Sequence, residues 1–296
     1  MADDVAQHDT SPLIDAVIGW FDEHERPLPW RRSTPWGVVV SEFMLQQTPV
    51  DRVLAAWGAW MERWPTPSAL AEAELADVLR AWGRLGYPRR AQRLHATAVI
   101  VRDEHDGEVP QDEDSLLALP GVGHYTAAAI AAFAFGRRSV VLDTNIRRVV
   151  TRSVVGSAAP PAHITSVERA LAESLWPADD ARSARWSAAA MELGALVCTS
   201  RAPHCGTCPV RAQCAWFDAG RPAATGPARR KATYEGSDRQ ARGRVLAVLR
   251  ESDGPVGVRA LARAWADDQQ RRRAIDSLVA DGLVVRRGSG RYSLPG

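Results

Sequence analysis

The chain of 296 residues holds one lysine, Lys231, against 36 arginines. Chemistry that needs a side-chain amine for a Schiff base therefore has one candidate position, and it lies in a Gly/Pro/Arg-rich stretch without periodicity. Cysteine is almost as scarce. All four fall between residues 198 and 214, which excludes a disulfide framework spread along the chain and, in a reducing compartment, favours a metal site. No apolar run approaches the ~18 residues of a spanning helix, and "MADDVAQHDTSPL" lacks the basic-then-apolar order of a secretory leader. The expectation is a cytoplasmic protein with no membrane partner. Net charge is only +2, so the global balance points to no polyanion and the local distribution has to be read instead.

What the chain has in quantity is apolar spacing of three and four. From Pro12 to about Cys198 this predicts many medium-length helices and no convincing strand, as in "LIDAVIGWFDEH", "VDRVLAAWGAWMERW", "RRAQRLHATAVIVRDE" and "ARWSAAAMELGALVC". The eleven tryptophans mostly lie on these apolar faces and are expected in cores. After the cysteines, "GRPAATGPARRKATYEGSDRQ" reads as a linker. Eight Lys/Arg between Arg221 and Arg250 stand against Glu235 and Asp238 alone, so the stretch is either a solvated linker or a segment that tracks phosphates. Residues 242–296 then predict three helices and a hairpin, "LVVRRGSGRYSL", the pattern of a winged-helix-like unit or of a small cap. In the first case Arg286, Arg287 and Arg291 on the hairpin would neutralise phosphates.

Four short stretches carry chemistry. In "SEFMLQQTPV", Pro49 and Asp51 mark a helix start that Thr48 is expected to cap, so the preceding helix must stop near Gln47. Gln46, Gln47 and Thr48 are thereby displayed at a helix junction. Glu42 lies one turn before Gln46 among apolar neighbours, where desolvation would keep it protonated as a general acid requires; a solvated helix residue is the simpler reading. "LLALPGVGHYTAAAIAAFAF" reads as helix, turn, helix. Gly121 and Gly123 allow positive φ and close backbone approach, and the second helix offers its N–H groups to an anion, as in a helix-hairpin-helix that grips a DNA phosphate. An ordinary glycine-capped helix pair fits the same residues. In "VVLDTNIRRVV", Asp143 is either a plain helix cap or, so soon after such a hairpin, a functional acid. Cys198, Cys205, Cys208 and Cys214 have the spacing C-x6-C-x2-C-x5-C. A zinc ribbon would offer two close pairs where this has one, so a four-thiolate [4Fe–4S] cluster is expected ahead of zinc.

Together "LPWR" at 28–31, "SEFMLQQT", "RLGYPRR", "LPGVGHYT", "LDTNIRRV" and the cysteine loop resemble, in order, the MutY family of adenine DNA glycosylases within the endonuclease III superfamily. The resemblance runs from about Leu13 to Phe217. It implies a mainly α, helix-hairpin-helix DNA glycosylase fold: a six-helix barrel at 31–144, an iron–sulfur cluster helical module from 1–30 and 145–218, a basic linker at 219–241 and a winged-helix-like α+β unit at 242–296. It also implies a monofunctional, monomeric enzyme that removes adenine mispaired with 8-oxoguanine or guanine from double-stranded DNA of the nucleoid.

Carried over motif by motif, Glu42 resembles the acid that protonates adenine N7, and Asp143 the carboxylate that stabilises an oxocarbenium-like sugar. Tyr125 and Asn145 resemble residues that order this site, and Trp30 and Arg31 part of the adenine pocket. Leu45, Gln47 and Tyr87 resemble wedges that fill the stack on base flipping. Gln46 belongs to the same corner, and Thr48 resembles a contact to the oxidised guanine. Gly121, Gly123 and His124 resemble the phosphate-gripping hairpin, and the four cysteines the ligands of a [4Fe–4S] cluster. Three departures stand out: Pro88 replaces a second tyrosine, Ala188 stands where relatives often carry Glu or Gln, and the winged-helix-like tail takes the place of a larger Nudix-like domain.

Three rivals remain. An endonuclease III-like lyase would need a lysine where Tyr125 stands. A mismatch thymine or uracil glycosylase can share Tyr125 but typically lacks an acid matching Glu42. A non-enzymatic winged-helix DNA-binding iron–sulfur protein would have no need of both Glu42 and Asp143.

Overall fold

The computed structural model describes residues 10–224 and 233–296, so Lys231 and the middle of the expected basic linker lie outside the described residues. Two compact units emerge. The first takes the chain up to Pro35, Gln111–Leu117 and the described part of Val122–Ala228; the second takes Trp36–Pro110, Ala118–Gly121 and the described part of Arg229–Gly296.

The first unit is built around the helix His124–Phe135, in which every residue from Thr126 to Ala132 is buried. A helix apolar on all sides has to be surrounded, and its alanines let the neighbours come close. Those neighbours are Ser11–His24, Thr144–Val150, Ser166–Leu175 and Asp180–Leu196, which bring Val17, Phe21, Ile146, Val149, Leu175 and Leu193 into one core. Trp176 meets Trp186 edge-on at 6.1 Å and donates its indole N–H to Ser187 Oγ at 3.0 Å, so a large polar-tipped ring is buried with its donor satisfied. Gly136, at φ +65, ends the central helix, its own and the following N–H returning to the carbonyls of Ala132 and Ala131.

The second unit packs the helices Pro35–Leu45, Val50–Arg63, Leu75–Trp82 and Arg89–Glu104 around Phe43, Met44, Leu70, Leu79 and Leu94. Trp60 lies edge-on to both Trp64 and Trp82, at 4.7 and 5.6 Å. The tryptophans are core residues as expected: nine of the eleven are buried and Trp20 and Trp265 are half-buried.

The same unit holds the C-terminal helices Asp238–Arg250, Val258–Ala264 and Asp268–Ala280 with three short strands. Strands β1 (Val256–Gly257), β2 (Val285–Arg287) and β3 (Arg291–Ser293) form an antiparallel sheet in the order β1-β3-β2, and Arg286 faces Tyr292 across the expected hairpin. Strand β1 escaped the sequence reading because two residues are too few to show alternation. Helix Asp238–Arg250 is fastened to the Gly83–Arg89 segment by Arg250, which donates to the Gly83 carbonyl. Asp281, just past the third helix, takes Arg89 at 3.5 Å as well as Arg242. Among the described residues no helix is long and apolar enough to cross a membrane.

Candidate active site

Glu42 is carried by the helix Pro35–Leu45, whose residues from Trp36 to Met44 are all buried. It is the one acid in that helix and is only 5% exposed. The solvated alternative is thereby removed. Such a helix leaves its last carbonyls without partners of its own. Arg90 supplies them: Nη1 donates to the Phe43 and Met44 carbonyls at 2.8 and 2.9 Å, while Nη2 donates to Thr48 Oγ1 and to the Leu85 and Gly86 carbonyls, each at 3.0 Å. Burial pushes the Arg90 guanidinium down to about 10, against the opposing effect of Tyr87.

Thr48 does not cap the next helix. That place belongs to Pro49, which has no side chain to offer; the Thr48 hydroxyl is buried and donates to the Leu85 carbonyl at 3.2 Å. The pull of Arg90 and Leu85 outcompetes the local cap. The displayed corner is otherwise as expected, with Gln47 exposed and Leu45 and Gln46 half-buried. Gln47 (φ 58) and Tyr87 (φ 46) both adopt the left-handed conformation that side chains rarely take, and Tyr87 is 43% exposed. Arg90 itself was missed, although a signal exists. Arg90, Leu94, Thr97 and Val101 form one buried stripe of their helix, so an arginine stood in register with apolar residues.

In the hairpin only Gly121 uses positive φ, at +87. A Cβ there would lie 2.9 Å from Arg93 Cδ and 3.0 Å from Phe43 Cε1. Gly123, at φ −110, is instead the N-terminal cap of His124–Phe135, and a Cβ on it would meet nothing. Both Gly123 and His124 are exposed. The expectation of positive φ at both glycines thus holds for one, because the second serves to start a helix.

Asp143 caps the helix Thr144–Val150, its Oδ1 accepting from the N–H groups of Asn145 at 2.9 Å and Ile146 at 2.6 Å. Its Oδ2 accepts from Asn145 Nδ2 at 2.7 Å. Burial raises the pKa of this carboxyl, outweighing the opposite pull of those hydrogen bonds and of Arg148. Arg148 in turn donates to Asn145 Oδ1 at 2.9 Å and to the carbonyls of Gly194 and Cys198, both at 2.6 Å. Gly194 has to be glycine, since a Cβ would sit 2.7 Å from Asn145 Cβ. Tyr125 is half-buried against the same core.

Trp30 is buried in a short turn, Pro29–Arg32. Arg31 donates to Glu192 at 3.0 Å, and Arg26 binds the same carboxylate through Nε at 2.8 Å and Nη2 at 2.7 Å. Burial alone would raise the Glu192 carboxyl, but the Arg26 hydrogen bonds and the charges of both arginines hold it below the usual range. Glu192 was not singled out from the sequence. Its signal was a lone acid inside "AAAMELGAL", one helical turn after Ala188.

The four cysteines are all free and line one small pocket together with Arg152 and Trp216. Arg152 donates to Cys198 Sγ at 3.5 Å and to the carbonyls of Thr199 and Ser200, lying over the Trp216 ring at 4.5 Å. Burial pushes the Cys208 thiol up to about 11, and Cys214 upward as well. Among the described residues no three His, Cys, Asp or Glu side chains form a ready-made site for a single metal ion. An all-thiol donor set with a cationic neighbour suits a soft, thiolate-bound metal centre. Glu42, Leu45, Gln46, Gln47 and Tyr87 belong to the second unit; Asp143, Asn145, Tyr125, Trp30, Arg31 and the cysteines belong to the first.

A helical protein with a glycine hairpin, a helix-capping aspartate and a loop of four thiols has the make-up of a helix-hairpin-helix repair glycosylase. The profile of the HhH-GPD superfamily base excision DNA repair protein matches residues 40–176. Endonuclease III, solved in a non-covalent complex with DNA, shares the fold at a TM-score of 0.60 and 22% identity, over 71% of this chain and 95% of its own. The adenine DNA glycosylase of Mycolicibacterium smegmatis is 53% identical over 283 residues, 95% of both chains. That of Mycobacterium tuberculosis H37Rv is 52% identical over 95% of this chain and 92% of its own. The chain belongs to the adenine DNA glycosylase family, enzymes of base excision repair.

Proposed function

We propose that the protein hydrolyses the N-glycosidic bond of adenine paired with 8-oxoguanine or guanine in duplex DNA, acting as a cytoplasmic monomer and leaving the strand uncut. The observation that supports this most is the burial of Glu42, the one acid of its helix. A carboxyl held out of bulk water beside the extruded base can act as a proton donor. With adenine turned out of the stack, Glu42 gives its proton to N7. The bond between C1′ and N9 breaks, its electron pair stays with the now neutral base, and the sugar is left cationic. Asp143 stabilises that cation as a carboxylate, and water adds at C1′ with loss of a proton.

Asn145, bonded to Asp143 Oδ2, fixes the carboxylate, and Tyr125 shapes the same neighbourhood. Trp30 and Arg31 contribute to the adenine pocket. Leu45, Gln46, Gln47 and Tyr87 fill the space of the departed base, Thr48 lies at the oxidised guanine, and Gly121, Gly123 and His124 hold a phosphate. Lys231 is the sole lysine, so the hairpin position that would form a Schiff base in a lyase is Tyr125 and strand cleavage is not part of the reaction.

Cys198, Cys205, Cys208 and Cys214 would hold a [4Fe–4S] cluster. When bound it supplies structural order to the loop and no chemistry. In this reading a cluster module (1–30, 145–218), a barrel (31–144), a linker (219–241) and a winged-helix-like unit (242–296) divide the work. The test is a duplex with one A·8-oxoG pair: the strand should break only after hot alkali, and a stoichiometric borohydride-trapped adduct would refute the monofunctional assignment.

A further inference from the structure

Helix Asp238–Arg250 and the Gly83–Arg89 segment border a groove of about 1100 Å³ within the second unit. Among the described residues its lining contains seven arginines and no carboxylate. Asp281 nearby offsets two of them, Arg89 and Arg242. Arg250 is half-buried, and among the described residues it pairs with no carboxylate and its Nε lacks a partner; burial alone holds this guanidinium down to about 10. A desolvated cation without an anion is costly unless something negative completes it. Arg84 and Arg244 are exposed on opposite sides of the groove.

The groove also contains both strained wedge candidates, Gln47 and Tyr87. Arg239 donates to the Tyr87 hydroxyl at 3.0 Å and stacks over Tyr234 at 5.0 Å. The C-terminal helix therefore touches the tip that would enter the duplex. Groove charge and wedge position meet in one place.

We propose that this groove is the track of a DNA strand beside the wedge, its phosphates taken by Arg84 and Arg244 across the groove and by Arg250 at its floor. The winged-helix-like unit then engages DNA through its first helix, next to the lesion, and not chiefly through its hairpin. Hairpin charge is partly offset already, since Arg286 pairs with Asp276, while Arg287 is held in place by hydrogen bonds to Ser293 and the Gly296 carbonyl.

The inference takes its ligand from the proposed function, so the test uses full-length protein and a short undamaged duplex, where binding is read without base release. Arg84→Ala and Arg244→Ala should each flatten the log–log salt dependence of binding by about 1, and the double variant by about 2, with affinity down about tenfold or more at low salt. Lysine at both positions should restore most of the slope, because a point charge suffices for a phosphate. Folding of each variant is checked by its unfolding midpoint. An unchanged affinity and slope in the double alanine variant would overturn the proposal, as would loss of the slope only on Arg291→Ala. Absence of adenine release from the parent would overturn the glycosylase reading and leave this result standing.

Discussion

Asn145 Nδ2 donates to Asp143 Oδ2 at 2.7 Å, and what holds Asn145 is as informative as the bond itself. Its oxygen accepts from Arg148, which also grips the carbonyls of Gly194 and Cys198. The orientation of the aspartate is thus traced, through two side chains, to the residue that opens the cysteine loop.

Gly194→Ala tests that chain of contacts with one methyl group. The added Cβ would be 2.7 Å from Asn145 Cβ, so helix and asparagine must part. Overpacking of this kind costs about 1–3 kcal/mol, which urea unfolding will register. Single-turnover adenine release should fall as well, while affinity for DNA stays close to the parent value. A variant with lowered stability and an intact rate would show that Asn145 does not govern the chemistry.

Glu42→Gln and Asp143→Asn should each retain DNA binding and lose base release by orders of magnitude. For Asp143 the pH profile adds a signature. Its carboxyl has a raised pKa, and in the proposed role the anion is the working form, so activity should be lost as pH falls through that raised value, above the point where an ordinary aspartate would fail. Rates measured across the acid range should show this limb, and a profile flat down to the usual aspartate range would contradict the role.

Arg90→Met removes five hydrogen bonds from buried or half-buried acceptors. Leaving such neutral groups unpaired in the interior costs about 1–3 kcal/mol each, so the unfolding midpoint should drop sharply. Arg90→Lys cannot span the same acceptors and should recover only part of the loss. Retention of parental stability by Arg90→Met would mean that water replaces the guanidinium.

Purified protein should be brown, with broad absorption near ~400 nm as thiolate-ligated iron clusters show. Cys205→Ser should bleach it and lower DNA binding, because the loop loses its order. A colourless preparation with stoichiometric zinc and full activity would replace iron by zinc in the assignment.

Most of the helical plan was legible because apolar periodicity is a local signal: the central alanine helix, the tryptophan-bearing helices and the C-terminal hairpin all stand where their spacing put them. The cysteine loop was legible for the same reason. Thr48 was misread because its partners, Leu85 and Arg90, are about forty residues away, and no local rule weighs a distant arginine against a nearby N–H. Arg90 and Glu192 were overlooked because a charged residue on an apolar stripe announces burial without naming what it will bind. Gly123 looked like a second positive-φ glycine because sequence alone does not separate a residue that turns the chain from one that starts a helix.

Gln47 and Tyr87 have a consequence for timing. Both hold left-handed backbone conformations, kept in place by a guanidinium that ties down the carbonyls of Leu85 and Gly86. In the wedge role proposed for these two residues, their freedom is surrendered when the chain folds, so an encounter with DNA would find the tips already set. A repair enzyme passes over a great many sound base pairs for each damaged one. With a stiff probe every one of those inspections can be brief, since nothing in the protein has to rearrange before a pair is tested or let go.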